Sequence, residues 1–348
     1  MTCMQISSLR PAPWSSRTVS SQSRPSRPSV QCRLSALENS ASVRLTGEGV
    51  GLRGGRFNNR FQKEKLTHEK PLRAAGVANA GLQTPQSVAG IVESVKWAFT
   101  TSSPSWESAA IATSAIFLGG APVLLAGLSL SGYTCAYLLA LVTWRAFGWQ
   151  GTFIVSVYFV LGTLATKLKI KQKEAAGIAE KRSGRRGPGS VFGSWTAGSV
   201  CAAATVAGLG GVEWEVLWRL GFLASFCTKL SDTISSEIGK AYGKTTYLVT
   251  SFSIVPRGTE GAVSLEGTLA GVVASIILAA VAYSINLTDQ SGAITCVLAA
   301  QVANLCESYI GAGLQGRKGF EWITNDIANI ANITIGASLA AAIRSLTG

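Results

Sequence analysis

SAAIATSAIFLGGAPVLLAGLSLSGYTCAYLLALVTW, residues 108–144, contains no charged side chain. A helix crosses the hydrocarbon core of a bilayer with about 20 apolar residues. This run is therefore long enough for two passes around the turn-like Ser129-Leu130-Ser131-Gly132. Outward from it, residues 146–166 form a third uncharged run and 187–212 a fourth. Residues 214–230 read as a weaker fifth, interrupted by Arg219 and Lys229, followed by 267–288, 291–306 and 327–343. Residues 86–100 (QSVAGIVESVKWAFT) read as a short interfacial helix. Glycine supplies 38 of 348 residues, above the usual share of about 7%, and small residues let membrane helices approach closely. The expected fold class is all-α, a polytopic transmembrane helical bundle of about seven to eight spans within 76–348.

Composition supports that reading. Mean hydropathy is +0.30 and only 14% of residues are charged, against about 25% in soluble domains. The net charge of +13 is nevertheless large. It is concentrated in two places: residues 1–75 hold 13 Lys/Arg against 4 Asp/Glu, and 167–190 hold 8 against 2. The remaining chain is nearly neutral. A nucleic-acid-binding domain with a basic face is excluded, and a single soluble globule does not fit. The one histidine, His68, lies in the basic N-terminal segment. The body therefore holds no Ser-His-Asp or Cys-His nucleophile system and no His-ligated zinc. Seven cysteines include no C-x-x-C pair, which argues against a disulfide framework or metal centre.

The first acidic residue is Glu38, and Arg10, Arg17, Arg24, Arg27 and Arg33 precede it among many serines. No apolar h-region of a secretory signal is present. Arg- and Ser-rich sequence without acid has the composition of an organellar transit peptide, and its serine and proline favour a chloroplast. Residues 1–75 are expected to be a disordered basic address segment.

The basic loop 167–190 is expected on the side from which the chain was inserted, the stroma in a plastid. Counting spans from it places 231–266 and 314–326 on that same face. The stretch 224–267 is the most informative of these. Read as a helix from about Phe226, it puts Thr233, Glu237, Lys240 and Lys244 on one polar face, with Gly239 and Gly243 as a packing notch beside it. Asp232 lies near the membrane end, where an ionisable side chain costs about 2.5–3.5 kcal/mol at a helix centre and so points to function. The following Pro256-Arg257-Gly258-Thr259-Glu260-Gly261 offers backbone N–H groups in glycine turns, an arginine fork and a hydroxyl, all suited to phosphate. No G-x-x-x-x-G-K-S/T sequence occurs, which excludes a P-loop. Asn304, Glu307, Ser308, Gly311 and Gln315 form one polar stripe; Asn325, Asn329 and Asn332, with Asp326 beside them, form another. Acidic and amide side chains on one cavity suit Mg²⁺. In the basic loop, Lys167, Lys169, Lys171, Lys173, Lys181, Arg182, Arg185 and Arg186 could meet a nucleotide's phosphates or only set topology.

Five ordered motifs carry a resemblance: KIKQKEAAGIAEKRSGRRG at 169–187, SDTISSEIGKAYGK at 231–244, VPRGTEGAVSLEGTLAG at 255–271, ESYIGAGLQG at 307–316 and NDIANIANITIGA at 325–337. The chain resembles, over essentially all of 105–348, the family of integral membrane proteins that includes the plant phytyl-phosphate kinase of tocopherol (vitamin E) biosynthesis. Many relatives read DSxxGA where Glu307-Ser308 stand here, so the carboxylate is kept one methylene longer. A weaker similarity is to CTP-dependent polyprenol kinases and CDP-diacylglycerol synthases. Their D-T…G-K/R-x-F/Y-G-K segment is matched by Asp232-Thr233, Gly239-Lys240, Tyr242 and Gly243-Lys244.

The resemblance implies phosphorylation of phytyl phosphate to phytyl diphosphate with Mg²⁺ and a nucleoside triphosphate, CTP or another. It implies Asp232 and Glu237 as Mg²⁺ ligands, with Glu307 and Asp326 as further ligands and Arg257 as a catalytic phosphate contact. Lys240, Lys244, Gly258, Thr259 and Gly261 would hold phosphates, as would Arg185 and Arg186. Phosphoryl transfer depends mainly on positioning and charge neutralisation, so the missing histidine is no obstacle. Phytol kinase or a CDP-lipid-forming cytidylyltransferase would use the same groups. A transporter, the alternative of another class, fits less well because the charges cluster at one face instead of the midplane.

Overall fold

The structure, a computed structural model, describes residues 88–101 and 103–347. The expected transit segment, 1–75, lies outside the described residues. Ten helices and two short strands follow one another: α1 Val88–Thr100, α2 Trp106–Gly119, α3 Ala121–Gly127, α4 Leu130–Lys167, α5 Ile170–Ala175, α6 Pro188–Val206, α7 Gly211–Tyr242, β1 Thr246–Leu248, β2 Ala262–Ser264, α8 Leu265–Ser284, α9 Gln290–Gly313 and α10 Asn325–Thr347. Helix starts coincide with side chains that satisfy orphan N–H groups. Ser129, Ser264 and Asp289 accept from the backbone N–H of Gly132, Gly267 and Gly292, at 3.1, 3.1 and 2.7 Å. Pro188 begins α6, where its missing N–H costs nothing. The expected interfacial helix is α1.

α4 is a hairpin. Gly148 has φ 58 and ψ −150, a conformation that glycine alone adopts freely. A straight helix of 38 residues would extend about 57 Å, yet a Cβ placed on Gly127, just before it, would lie 2.8 Å from Thr163 Oγ1 and 2.6 Å from Phe159 Cζ. The halves 130–147 and 149–167 therefore lie antiparallel, each about 27 Å long. The division expected near Trp144 is real and falls four residues later.

The main departure is α7. A weak fifth span followed by a separate polar segment was expected; instead one helix of 32 residues runs through both. Every residue from Leu220 to Ser231 is buried, so this stretch is enclosed on all sides, and α4, α6, α8, α9 and α10 pack around it. Phe222 and Phe226 stack on Phe147, Tyr158 and Trp195 at its centre. Among the described residues four helices are long and apolar enough to cross a membrane, α4, α8, α9 and α10; α2 and α3, bent by 75°, make a fifth if they are one broken span. That test counts α4 once although its two halves run antiparallel, and it passes over α6 and α7, which the other helices enclose. The physical reason is that a helix surrounded by protein does not need an apolar face towards lipid, so α7 carries charge and α6 is rich in Gly, Ala and Ser.

Chain direction fixes the ends of the bundle. Ser231 of α7 meets Asn304 of α9, and Gly221 approaches Ala337 of α10. The loops 168–187, 243–264 and 314–324 accordingly gather at one end, as the sequence reading expected. Antiparallel β1 and β2, paired Thr246↔Ser264 through Leu248↔Ala262, tie the second of these loops into a flap.

Candidate functional site

Two clusters of polar side chains lie along the last turns of α7. The outer one surrounds a cavity of about 370 Å³ between α5, the end of α7 and the Pro256-Arg257 turn. Lys169, Lys173, Lys240 and Arg257 all line it. Lys173 is 2% exposed, ion-paired with Glu237, and donates to the Thr166 carbonyl at 2.7 Å. Lys240 lies 3.4 Å from Glu237 and 3.6 Å from Glu180. Lys169 adopts φ 49, which carries its ammonium to the Ala241 carbonyl at 3.2 Å and over the Tyr242 ring at 3.7 Å. Four cations thus face two carboxylates, and the excess positive charge suits a polyanion.

The inner cluster is sequestered among α7, α9 and α10. Lys229 donates to Asp232 Oδ2 at 2.5 Å and to Asn329 Oδ1 at 2.6 Å. Glu307 of α9 joins the same network through Asn332 of α10, one turn on from Asn329. Asn332 donates to Glu307 and, at 3.0 Å, to Asn304 Oδ1, while Asn304 donates to Ser231 Oγ at 2.8 Å. Gln301 extends the network to Ser275 of α8 at 2.9 Å. Asn332 Oδ1 is buried with no hydrogen-bond partner. An unpaired buried acceptor of this kind is costly and marks a place that a cation or donor can fill.

The expected site residues separate between these clusters. Lys240 and Arg257 meet at the outer cavity. Asp232 and Glu307 belong to the inner one. Glu237 does not join Asp232: five residues on, it lies on another face of α7, held by Lys173 and Lys240. Lys244 leaves the expected polar face because α7 ends at Tyr242; it is exposed. Asp326 lies against α6, where a Cβ on Gly189 would fall 2.5 Å from its Oδ2.

The flap glycines have packing reasons for being glycine. Gly258 has φ 85, and a Cβ there would meet Ile178 Cγ2 at 2.6 Å; Gly261 has φ 70 and presses on Ser308 and Ala312 of α9. The Thr259 hydroxyl donates to the Pro256 carbonyl at 2.8 Å. Arg185 is exposed. Arg186 points away from the outer cavity and donates to the Tyr158 hydroxyl at 2.5 Å. Among the described residues no group of three or more His, Cys, Asp or Glu is gathered as a metal cage.

Sequence assigned no role to Lys229 or Glu260, and it offered Lys173 only as one of eight basic-loop cations. Lys229 was legible as an ionisable residue inside an apolar run, which by itself points to function. Lys173 was hidden among the like charges of the basic loop.

Residues 113–337 match the integral membrane protein DUF92 family. Protein VTE6, chloroplastic, of Arabidopsis thaliana is 52% identical over 263 residues, covering 76% of this chain and 79% of that protein. An uncharacterized membrane protein of Synechocystis, sll0875, is 48% identical over 214 residues, 62% of this chain and 81% of its own length. An archaeal one from Methanocaldococcus jannaschii, MJ0933, is 27% identical over 190 residues, 54% of this chain and 74% of its own. No solved structure matches. The helical bundle, the family match and the relatives agree, and this chain belongs to the integral membrane protein DUF92 family.

Proposed function

We propose that this multi-pass chloroplast membrane protein is a kinase of tocopherol biosynthesis that phosphorylates an isoprenoid monophosphate, phytyl phosphate, to the diphosphate. The donor is a nucleoside triphosphate, CTP or another. One observation carries the reading: a cavity with excess positive charge, lined by Lys173, Lys240 and Arg257, lies along α7 from a buried cluster that holds Asp232 and Glu307. Chemistry on phosphates needs both cations to hold oxygens and carboxylates to hold a counter-cation. The resemblance to the phytyl-phosphate kinase family and the chloroplastic relative VTE6 support it.

The inner cluster fits Mg²⁺. That cation takes oxygen ligands and uses one or two carboxylates together with substrate phosphates. Asp232 and Glu307 supply the carboxylates, and the orphaned Asn332 Oδ1 is a third oxygen. Bound there, Mg²⁺ supplies positive charge to the phosphoryl oxygens. Glu237 is already neutralised by two lysines and serves to fix the cationic cavity. Lys240 and Arg257 hold the donor's phosphates. An oxygen of the acceptor monophosphate forms the new bond to the terminal phosphorus as the bond to the bridging oxygen breaks, releasing a nucleoside diphosphate. The acceptor is already anionic, so no base is required.

The test is product analysis. Purified protein in lipid is given phytyl phosphate, Mg²⁺ and each radiolabelled nucleoside triphosphate. Labelled phytyl diphosphate is expected. No diphosphate but labelled monophosphate when phytol replaces phytyl phosphate, or a CDP-lipid from CTP, overturns the assignment in favour of the neighbouring reaction.

A further inference from the structure

A second cavity, of about 200 Å³, lies between α2, α3, the two halves of α4 and α6. Its walls are apolar, with Phe117, Leu124, Ala140, Val155 and Phe159 among them. Most of its hydroxyls are closed off, since Thr143, Thr152, Ser156 and Ser194 each donate to a carbonyl one turn earlier in their own helix. Two donors are not closed off in this way. The Arg186 guanidinium reaches into the bundle beside Gly162 and donates to Tyr158, and no carboxylate pairs with it among the described residues. Trp195 Nε1 is buried with no partner. Both residues line this cavity.

A half-buried cation at the edge of an apolar chamber, with no anion beside it, is unfavourable. An apolar chamber with such a cation at its edge is complementary to an amphiphile with one anionic head. Tyr158 connects the place to the inner cluster, because it lies within electrostatic range of Lys229. The outer cavity, with its lysines, is built on α5 and the end of α7 and shares no lining residue with this one.

We propose that this cavity binds the head end of the lipid acceptor: the first part of its branched apolar chain lies between α2, α3, α4 and α6, the remainder leaves through the cavity's open side, and its monophosphate is held by Arg186 with the Tyr158 hydroxyl and Trp195 Nε1. The identity of the head group as a phosphate rests on the kinase reading; the amphiphile site does not. The nucleotide and the lipid then approach α7 from separate cavities, and their phosphates meet at the Lys229–Asp232–Glu307 cluster.

Binding can be read without turnover. Full-length protein in nanodiscs is photolabelled with an isoprenoid monophosphate carrying a diazirine on its chain, and with the matching alcohol. The wild type is expected to bind the phosphate at least about tenfold more tightly, a difference of about 1.4 kcal/mol, and to be labelled on α2, α4 or α6. Arg186→Gln should erase the preference for phosphate while chain labelling persists. Ala140→Phe should weaken both probes about tenfold and leave binding of a nucleotide analogue within twofold. Its thermal melting is followed so that a misfolded variant is recognised, and Val155→Phe then repeats the test from the other wall. Equal binding of phosphate and alcohol by the wild type, or labelling confined to other helices, overturns the proposal. So does displacement of the probe by ordinary diacyl lipid alone, which would make the cavity a seat for bilayer lipid. If probe binding follows these expectations but no diphosphate forms, the kinase reading fails and the site stands. If turnover proceeds normally in Arg186→Gln and in both filled variants, the site fails and the kinase reading stands.

Discussion

Lys173 of the loop helix α5 and Glu237 of α7 form an ion pair in which both side chains are only 2% exposed. It fastens the basic loop onto the central helix and so builds one wall of the cationic cavity. Removing Glu237 leaves the Lys173 charge buried and unpaired, which costs about 3–5 kcal/mol; removing Lys173 leaves Glu237 only its longer pair with Lys240, 3.4 Å away, a smaller loss. Glu237→Gln should lower the melting temperature of the purified protein substantially, and Lys173→Met should lower it less. The double variant Lys173→Met/Glu237→Leu should recover most of the loss, because an apolar pair of similar volume can replace a buried ion pair. A Glu237→Gln protein that melts like the wild type yet is inactive would make Glu237 a ligand instead of a structural partner.

Asp232→Asn keeps the shape of the side chain and removes its charge. The protein should insert and accumulate, and its kcat should fall at least about 100-fold, or about 2.7 kcal/mol. Glu307→Gln should act at the same step and raise the Mg²⁺ concentration needed for half-maximal rate. Normal rates with normal Mg²⁺ dependence in both variants would remove the inner cluster from the chemistry.

Arg257 lines the cationic cavity from an exposed turn, whereas Arg185 is exposed and outside that lining. Arg257→Ala should lower kcat at least about tenfold, about 1.4 kcal/mol. Arg257→Lys should be intermediate, since lysine keeps the charge but lacks the planar fork. Arg185→Ala should stay within about twofold of the wild type. Kinetic constants from steady-state assays at fixed Mg²⁺ check all three, and an unchanged Arg257→Ala enzyme would leave the turn without a role in phosphate binding.

Gly148→Ala separates two geometries by the sign of its effect. In a straight helix alanine would stabilise by about 1 kcal/mol over glycine. At φ 58 and ψ −150 a side chain is strained, and the substitution should destabilise by about 1–3 kcal/mol. Thermal melting in detergent decides. A raised melting temperature would mean that α4 does not reverse at Gly148.

Much of this architecture was legible in sequence. Uncharged runs located the apolar helices, and the helical spacing of Asn304 with Glu307, and of Asn329 with Asn332, foretold the two faces that meet. Sequence could not show that 211–242 is one buried helix, because hydropathy measures suitability for lipid and α7 faces protein. Nor could it sort the lysines of 167–190: Lys173 is buried by a contact with Glu237, 64 residues distant in sequence. Spacing also failed at Lys244, where the helix ended at Tyr242 before the polar face was complete.

The enclosure of α7 has a consequence for how the protein is made. Chain order brings α7 into the membrane before α8, α9 and α10, the helices that shield its polar turns. During that interval Lys229 and Asp232, three residues apart on one helix, can neutralise each other without any help from neighbours. The later helices then arrive bearing Asn304, Glu307, Asn329 and Asn332 and convert a travelling ion pair into a fixed network. A truncation ending after α7 should therefore still integrate into the bilayer, but as a substrate for quality-control proteases; chain completion, not insertion, would be the step that secures the fold.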